Sequence, residues 1–139
     1  MYYGTDGTEF KKFNTRDGMG LQLLQRTGVK VGIVTSENTP INVNRARKLG
    51  LDYLKQSARD GGKLAAVKEI CEEMGITLQE VAYVGDDVNC YDLLAAVGWA
   101  ACPADACEKV KAIPGIHVLE RRGGDACVRE WIDQNLSSR

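Results

Sequence analysis

Short apolar runs alternate with longer amphipathic stretches along this chain, and that alternation constrains the fold more than any other feature. "VKVGIVT" at 29–35, "DYLKQ" at 52–56, "VAYV" at 81–84, "GWAAC" at 98–102 and "IHVLE" at 116–120 are short and mostly β-branched or apolar, as buried strands are. The segments between them carry helix signals. Residues 16–27 place Leu21, Leu24 and Gln25 on one face, and Gly28 stops the run. Thr39-Pro40 supplies an N-cap and a first-turn proline, and Gly50 closes that helix. Residues 62–74 put Leu64, Val67, Ile70, Cys71 and Met74 on one stripe. Thr77 and Glu80 have capping-box spacing on a single turn. Further helices are predicted near 90–96, over 104–111 and over 125–136. Strands alternating with helices predict an α/β fold, a doubly wound parallel sheet covered on both faces, reached by right-handed crossovers. Ahead of it, "MYYGTDGTEFKKFN" reads as a β-hairpin turning at Asp6-Gly7.

The 139 residues fit one domain, 1–139, without an internal repeat or low-complexity linker. Composition excludes some classes. A net charge of −1 gives no polybasic field for nucleic acid or an anionic membrane. No apolar run approaches the roughly 20 residues that span a bilayer, and the N-terminus lacks the pattern of a signal peptide. Five cysteines without CxxC spacing and a single histidine argue against zinc and for free thiols in a reducing cytoplasm.

Ligands of open α/β sheets bind at the carboxyl ends of the strands. Thr35 and Ser36 follow "VKVGIV", Lys63 opens the helix after "DYLKQ", and Asp86 and Asp87 follow "VAYVG". Hydroxyls and a lysine suit phosphate oxygens, and paired carboxylates suit a hard cation such as Mg2+. Each has a plain alternative. Thr35 and Ser36 could cap the next helix, Lys63 could be a solvated surface lysine, and Asp86 and Asp87 could be an N-cap and its neighbour. Their shared placement at strand ends favours a phosphate-plus-magnesium site.

The ordered set Thr35, Lys63 and "GDD" resembles motifs two to four of the haloacid-dehalogenase-like (HAD-like) phosphatases. "MYY…KKFNTRDGMG", "GIVTSE", "GGKL", "VAYVGDDVN" and "RRGGDACVREW" look like their capless subgroup, which hydrolyses 3-deoxy-D-manno-octulosonate 8-phosphate or nonulosonate 9-phosphates. The resemblance implies a Rossmann-like fold and a two-step transfer through an aspartyl-phosphate. It implies that Thr35 holds a phosphate oxygen, Lys63 neutralises phosphoryl charge, Asp86 ligates Mg2+, and Asp87 orients the metal shell or Lys63. It also implies a homotetramer of cytoplasmic subunits. There the hairpin with Lys11 and Lys12, and the loop Arg121, Arg122, Gly123 and Gly124, would help close sites around a phosphorylated sugar acid, with Ser36 beside it.

Two departures qualify these expectations. The family's fourth motif often has another acid four residues after the first, and Cys90 stands there. The Asp-x-Asp-Gly nucleophile motif at the end of the first strand is expected upstream of "MYY". "GTDGT" is not that motif, because no buried strand precedes it. This reading treats the sequence as N-terminally truncated or as a degenerate relative, with the first central strand absent. It predicts residues 29–35 and 81–84 about 9–10 Å apart, two strand spacings, rather than directly paired at about 4.8 Å. The chain then reads as a sugar-acid phosphatase without its nucleophile. The alternative is a non-catalytic oligomerisation domain, related to the one fused to some CMP-sialate synthetases. A phospho-receiver domain is disfavoured, because here hydroxyl and lysine precede the acid pair.

Overall fold

The computed structural model describes residues 2–3, 9–10, 13–56, 58 and 62–136, the first four by backbone pairing alone. In chain order the elements are β1 (Tyr2–Tyr3), β2 (Glu9–Phe10), α1 (Thr15–Arg26), β3 (Gly32–Val34), α2 (Pro40–Leu49), β4 (Tyr53–Lys55) and α3 (Gly62–Met74). There follow β5 (Ala82–Val84), α4 (Tyr91–Ala96), β6 (Trp99–Cys102), α5 (Glu108–Lys111), β7 (His117–Val118) and α6 (Cys127–Leu136). β1 and β2 pair antiparallel, Tyr2 opposite Phe10, as a hairpin requires. Its turn at Asp6-Gly7, and Lys11 and Lys12, lie outside the described residues.

Every other strand pair is parallel. β3 pairs with β4, with Ile33 opposite Leu54, and β5-β6-β7 form a second ladder, with Tyr83 opposite Ala100 and Ala101 opposite His117. No backbone ladder joins β3 to β5 among the described residues. Direct pairing of the two strands is thus not what holds them. Instead the Tyr83 hydroxyl reaches the Val34 carbonyl at 3.5 Å.

Strand alternation sorts the core onto two faces. Tyr83, Ala100 and Cys102 face one side, where they meet Leu94, Val110 and Ile113 in one cluster and Val67, Cys71, Leu93 and Val97 in an adjoining one. Val84 and Ala101 face the other side, against Leu119, Cys127, Val128 and Trp131. Each fully buried Leu contributes about 1.5–3 kcal/mol relative to exposure, and Leu93, Leu94 and Leu119 are all fully buried.

Helix ends follow the sequence signals. The Asn14 side chain accepts from Arg16 N–H at 2.9 Å at the start of α1. The Thr39 hydroxyl accepts from Ile41 N–H at the start of α2, and Gly50 ends that helix in the left-handed region at φ 64°. Thr77 N–H donates to Glu80 at 2.9 Å, closing the capping box on a 3-10 turn.

Some expectations need correction. α5 covers only 108–111 rather than 104–111, because residues 103–106 form a turn, with Ala106 N–H bonded to the Pro103 carbonyl. Met74, assigned to the buried stripe of α3, is exposed at the last turn. α1 buries Gly18 and Gly20, whereas Leu21 and Leu24 are only half-buried. Close approach explains it: a Cβ on Gly20 would lie 2.8 Å from Arg129 Cδ and 3.2 Å from Ile132 Cδ1 of α6. Asp17 then accepts the Arg129 N–H at 2.9 Å, locking the first turn of α6 onto α1.

Candidate phosphate and metal site

The parallel ladders bring the carboxyl ends of β3, β4 and β5 to one edge, and three of the predicted groups gather there. Thr35 extends the β3 ladder, its N–H bonded to the Lys55 carbonyl at 2.9 Å. Its hydroxyl accepts the Glu37 N–H at 3.2 Å, forming a local turn rather than capping α2, which Thr39 does. The hydroxyl proton remains available for an acceptor. Ser36 donates to the Ala58 carbonyl at 3.2 Å and accepts from the Asn89 amide at 3.2 Å. That second bond crosses from the end of β3 to the segment after β5.

Lys63 is not a solvated lysine. It is 7% exposed, in the first turn of α3, and its ammonium donates to Cys90 Sγ at 3.2 Å. Cys90 is itself 2% exposed. The Tyr83 hydroxyl lies 3.7 Å from the same sulfur. Burial pushes the Tyr83 phenol far above its ordinary range, with Cys90 and Asp86 adding to the effect, so this hydroxyl keeps its proton.

The two acids differ. Asp87 Oδ1 accepts the Val88 N–H at 2.7 Å, so Asp87 is the N-cap of the short 3-10 turn 88–90. The plain reading of that residue is therefore realised. Asp86 is exposed, and no described side chain or N–H bonds its carboxylate; only its backbone carbonyl is engaged, by Cys107 N–H at 2.9 Å. Asp86 thus presents free carboxylate oxygens at the edge that carries Thr35, Ser36 and Lys63. Among the described residues no three His, Cys, Asp or Glu side chains gather as a metal cage. A single open carboxylate nonetheless fits Mg2+, which commonly takes one or two carboxylates and completes its shell with water and substrate phosphate.

The Arg121–Gly124 loop makes its own contacts to the segment at 104–105 and to α6. Gly123 N–H donates to Asp105 at 2.9 Å, Arg122 pairs with Asp105 at 3.7 Å, and Arg121 N–H donates to Glu130 at 2.9 Å. No described contact joins Arg121, Arg122, Gly123 or Gly124 to Lys63 or Asp86. Tyr83 and Asn89 escaped the sequence reading. Asn89 shares the turn of the acid pair, which was its only signal, and Tyr83 looked like any inward strand residue.

A crossed-over parallel sheet with hydroxyl, lysine and acid pair at successive strand ends defines a hydrolase class. A family profile of haloacid dehalogenase-like hydrolases matches residues 17–98, and the chain belongs to that family. Among its relatives is the 3-deoxy-D-manno-octulosonate 8-phosphate phosphatase KdsC of Yersinia pestis, 35% identical over 96% of this chain and 70% of that protein. The KdsC protein of Escherichia coli K12 is 34% identical over the same share of this chain and 69% of its own length. Among solved structures, the 3-deoxy-D-manno-octulosonate 8-phosphate phosphatase of Moraxella catarrhalis, in complex with magnesium ion, phosphate ion and KDO, superposes with a TM-score of 0.92. It is 30% identical, and the match covers 99% of this chain and 78% of that one. The cobalt-bound enzyme of Haemophilus influenzae superposes with a TM-score of 0.90 at 30% identity, covering 99% of this chain and 78% of that one.

Among the described residues no helix is long and apolar enough to cross a membrane.

Proposed function

We propose that this strand-end site receives the phosphoryl group of a phosphorylated sugar acid, of the 3-deoxy-D-manno-octulosonate 8-phosphate or nonulosonate 9-phosphate type. The observation that carries the reading is the convergence of Ser36, Lys63 and the open Asp86 carboxylate, tied across β3 and β5 by the 3.2 Å Ser36–Asn89 bond. In this reading the Thr35 hydroxyl donates its hydrogen bond to a phosphoryl oxygen, and Ser36, whose own proton goes to the Ala58 carbonyl, lies beside it and holds the Asn89 turn in place. Lys63 sets its charge against the dianion, and burial makes that charge count for more than it would in water. Asp86 holds Mg2+, which when bound neutralises phosphate charge and acts as a Lewis acid. Asp87 shapes the turn that presents Asp86. Arg121, Arg122, Gly123 and Gly124 meet the sugar end of the substrate, and the 139 residues act as one domain of a homotetrameric cytoplasmic phosphatase.

The family's chemistry requires an aspartate nucleophile with a second aspartate two residues on. The 139 residues contain no Asp-x-Asp pair. The chain by itself is therefore proposed to bind phosphate without turning it over.

Titration calorimetry with inorganic phosphate and Mg2+ tests the binding reading. Charge-assisted hydrogen bonds contribute about 1.5–3 kcal/mol, so Lys63→Ala should weaken phosphate binding about tenfold or more. Unchanged affinity in Lys63→Ala would overturn it.

A further inference from the structure

We propose that Cys90 is a positioning residue for Lys63, its sulfur holding the buried ammonium where a phosphoryl group is received. The inference rests on the phosphate-binding reading of Lys63. Lys63 sits in the first turn of α3, where the positive end of the helix dipole opposes a cation. It is also 93% buried, so an acceptor for its ammonium is needed on two counts. The acceptor is Cys90 Sγ at 3.2 Å, 27 residues away in sequence.

The sulfur is itself fixed. Its thiol donates to Asn89 Oδ1 at 3.5 Å, the Tyr83 hydroxyl lies at 3.7 Å, and that hydroxyl also reaches the Val34 carbonyl. Behind it lies Gly85, whose Cβ, if present, would be 2.8 Å from Cys90 Cβ and 2.9 Å from Sγ. A glycine at 85 is what lets the cysteine sit this close. The line Val34, Tyr83, Cys90, Lys63 therefore runs from β3 through β5 to α3, joining strands that share no backbone ladder among the described residues. Lys63 has three N–H donors on a stem of four flexible carbons. One donor engaged by a fixed sulfur restricts the stem and leaves the other two free for an anion. A thiol does this without placing a carboxylate directly on the ammonium, so Cys90 itself adds no fixed negative charge to compete with the incoming phosphate.

The test uses the 139-residue chain, with inorganic phosphate and Mg2+ as the probe. Removing one modest hydrogen bond corresponds to roughly a two- to tenfold change, so Cys90→Ala should lose phosphate affinity by that factor. Cys90→Ser, which keeps a small acceptor, should restore it. The second readout is the acylation rate of Lys63, followed by peptide mass spectrometry: it should rise in Cys90→Ala and return toward wild type in Cys90→Ser. If Cys90→Ala does not fold, the lysine ammonium resonance of the wild-type chain decides. A signal from Lys63 protected from solvent exchange supports the contact, and an unprotected one overturns it. Wild-type affinity and Lys63 acylation rate in Cys90→Ala, with affinity lost in Lys63→Ala, would sink the positioning role alone. Loss in neither variant would sink the phosphate reading beneath it.

Discussion

Ser36 and Asn89 are 53 residues apart in the chain and 3.2 Å apart in space, the serine hydroxyl accepting from the asparagine amide. This bond and the Tyr83–Val34 contact are side-chain ties between the ends of β3 and β5, which no backbone ladder links among the described residues. Breaking it should cost roughly 0.5–1.5 kcal/mol. Asn89→Ala should therefore lower the urea midpoint modestly and weaken phosphate binding together. A loss of stability with unchanged phosphate affinity would show that the tie shapes the fold but not the site.

Magnesium should bind weakly on its own and more tightly once phosphate is present, because Asp86 offers a single open carboxylate and Mg2+ needs further oxygens. Calorimetric titration of Mg2+ with and without phosphate measures the difference. Asp86→Asn should abolish the phosphate-linked gain; micromolar Mg2+ affinity without phosphate would contradict the assignment.

The 139-residue chain should not hydrolyse p-nitrophenyl phosphate or a sugar-acid phosphate at a rate that Asp86→Asn abolishes. Losing a nucleophile from a cooperative site costs on the order of 10⁶ in kcat, and no Asp-x-Asp pair occurs in this sequence. Fast, Asp86-dependent turnover would refute the assignment.

Asp52 should make stability fall in acid. Its carboxylate accepts the Val31 N–H at 2.8 Å and the Gln25 amide at 3.2 Å, and Lys30 lies 3.9 Å away. The Val31 bond first, then Gln25, outweigh the opposing effect of burial, with a weaker pull from Lys30, and hold the carboxyl below its ordinary value. A depressed folded-state pKa means the contribution is present above the unfolded value and is lost as pH falls through the folded one. Because the group is partly exposed, about 0.5–1 kcal/mol is at stake. Asp52→Asn should be less stable than wild type at neutral pH, and the gap should close below about pH 4. A gap that persists at pH 2 would mean the asparagine perturbs packing instead.

Cys107 should be the one thiol that reacts readily with a disulfide reagent in the folded chain. The other four cysteines are buried. Burial pushes the Cys71 and Cys102 thiols up, and Cys127 to about 11, away from the reactive thiolate. Two or more fast thiols in native buffer would contradict the core as described.

Gly98→Ala should destabilise severely. A Cβ there would lie within bonding range of the Gln79 backbone carbonyl, so the 3-10 turn at 78–80 or the start of β6 must move. Overpacking of this kind typically costs about 1–3 kcal/mol, measurable by chemical denaturation. A near-neutral result would show that this approach relaxes freely.

The sequence alone determined what depends on neighbours along the chain. Thr39-Pro40, Gly50, the Thr77–Glu80 box and the apolar runs act through local hydrogen bonds and backbone geometry, so α2, the capped turn, the parallel strand class and the strand-end position of Thr35, Lys63 and Asp86 were legible. Element lengths were less so: residues 104–106 carry helix-compatible residues, but the turn at 103–106 is held by bonds from Ala104 N–H to the Arg121 carbonyl and from Gly123 N–H to Asp105, far away in sequence. Only the tertiary structure decided that α1 buries glycines rather than leucines, since a missing side chain registers only when α6 lies against it. It also decided that Lys63 is buried on a cysteine, that Asp87 caps a turn while Asp86 stays open, and that Tyr83 and Asn89 join the site. Those outcomes rest on contacts between side chains dozens of residues apart, and their energy exists only once the crossovers have brought the strand ends to one edge.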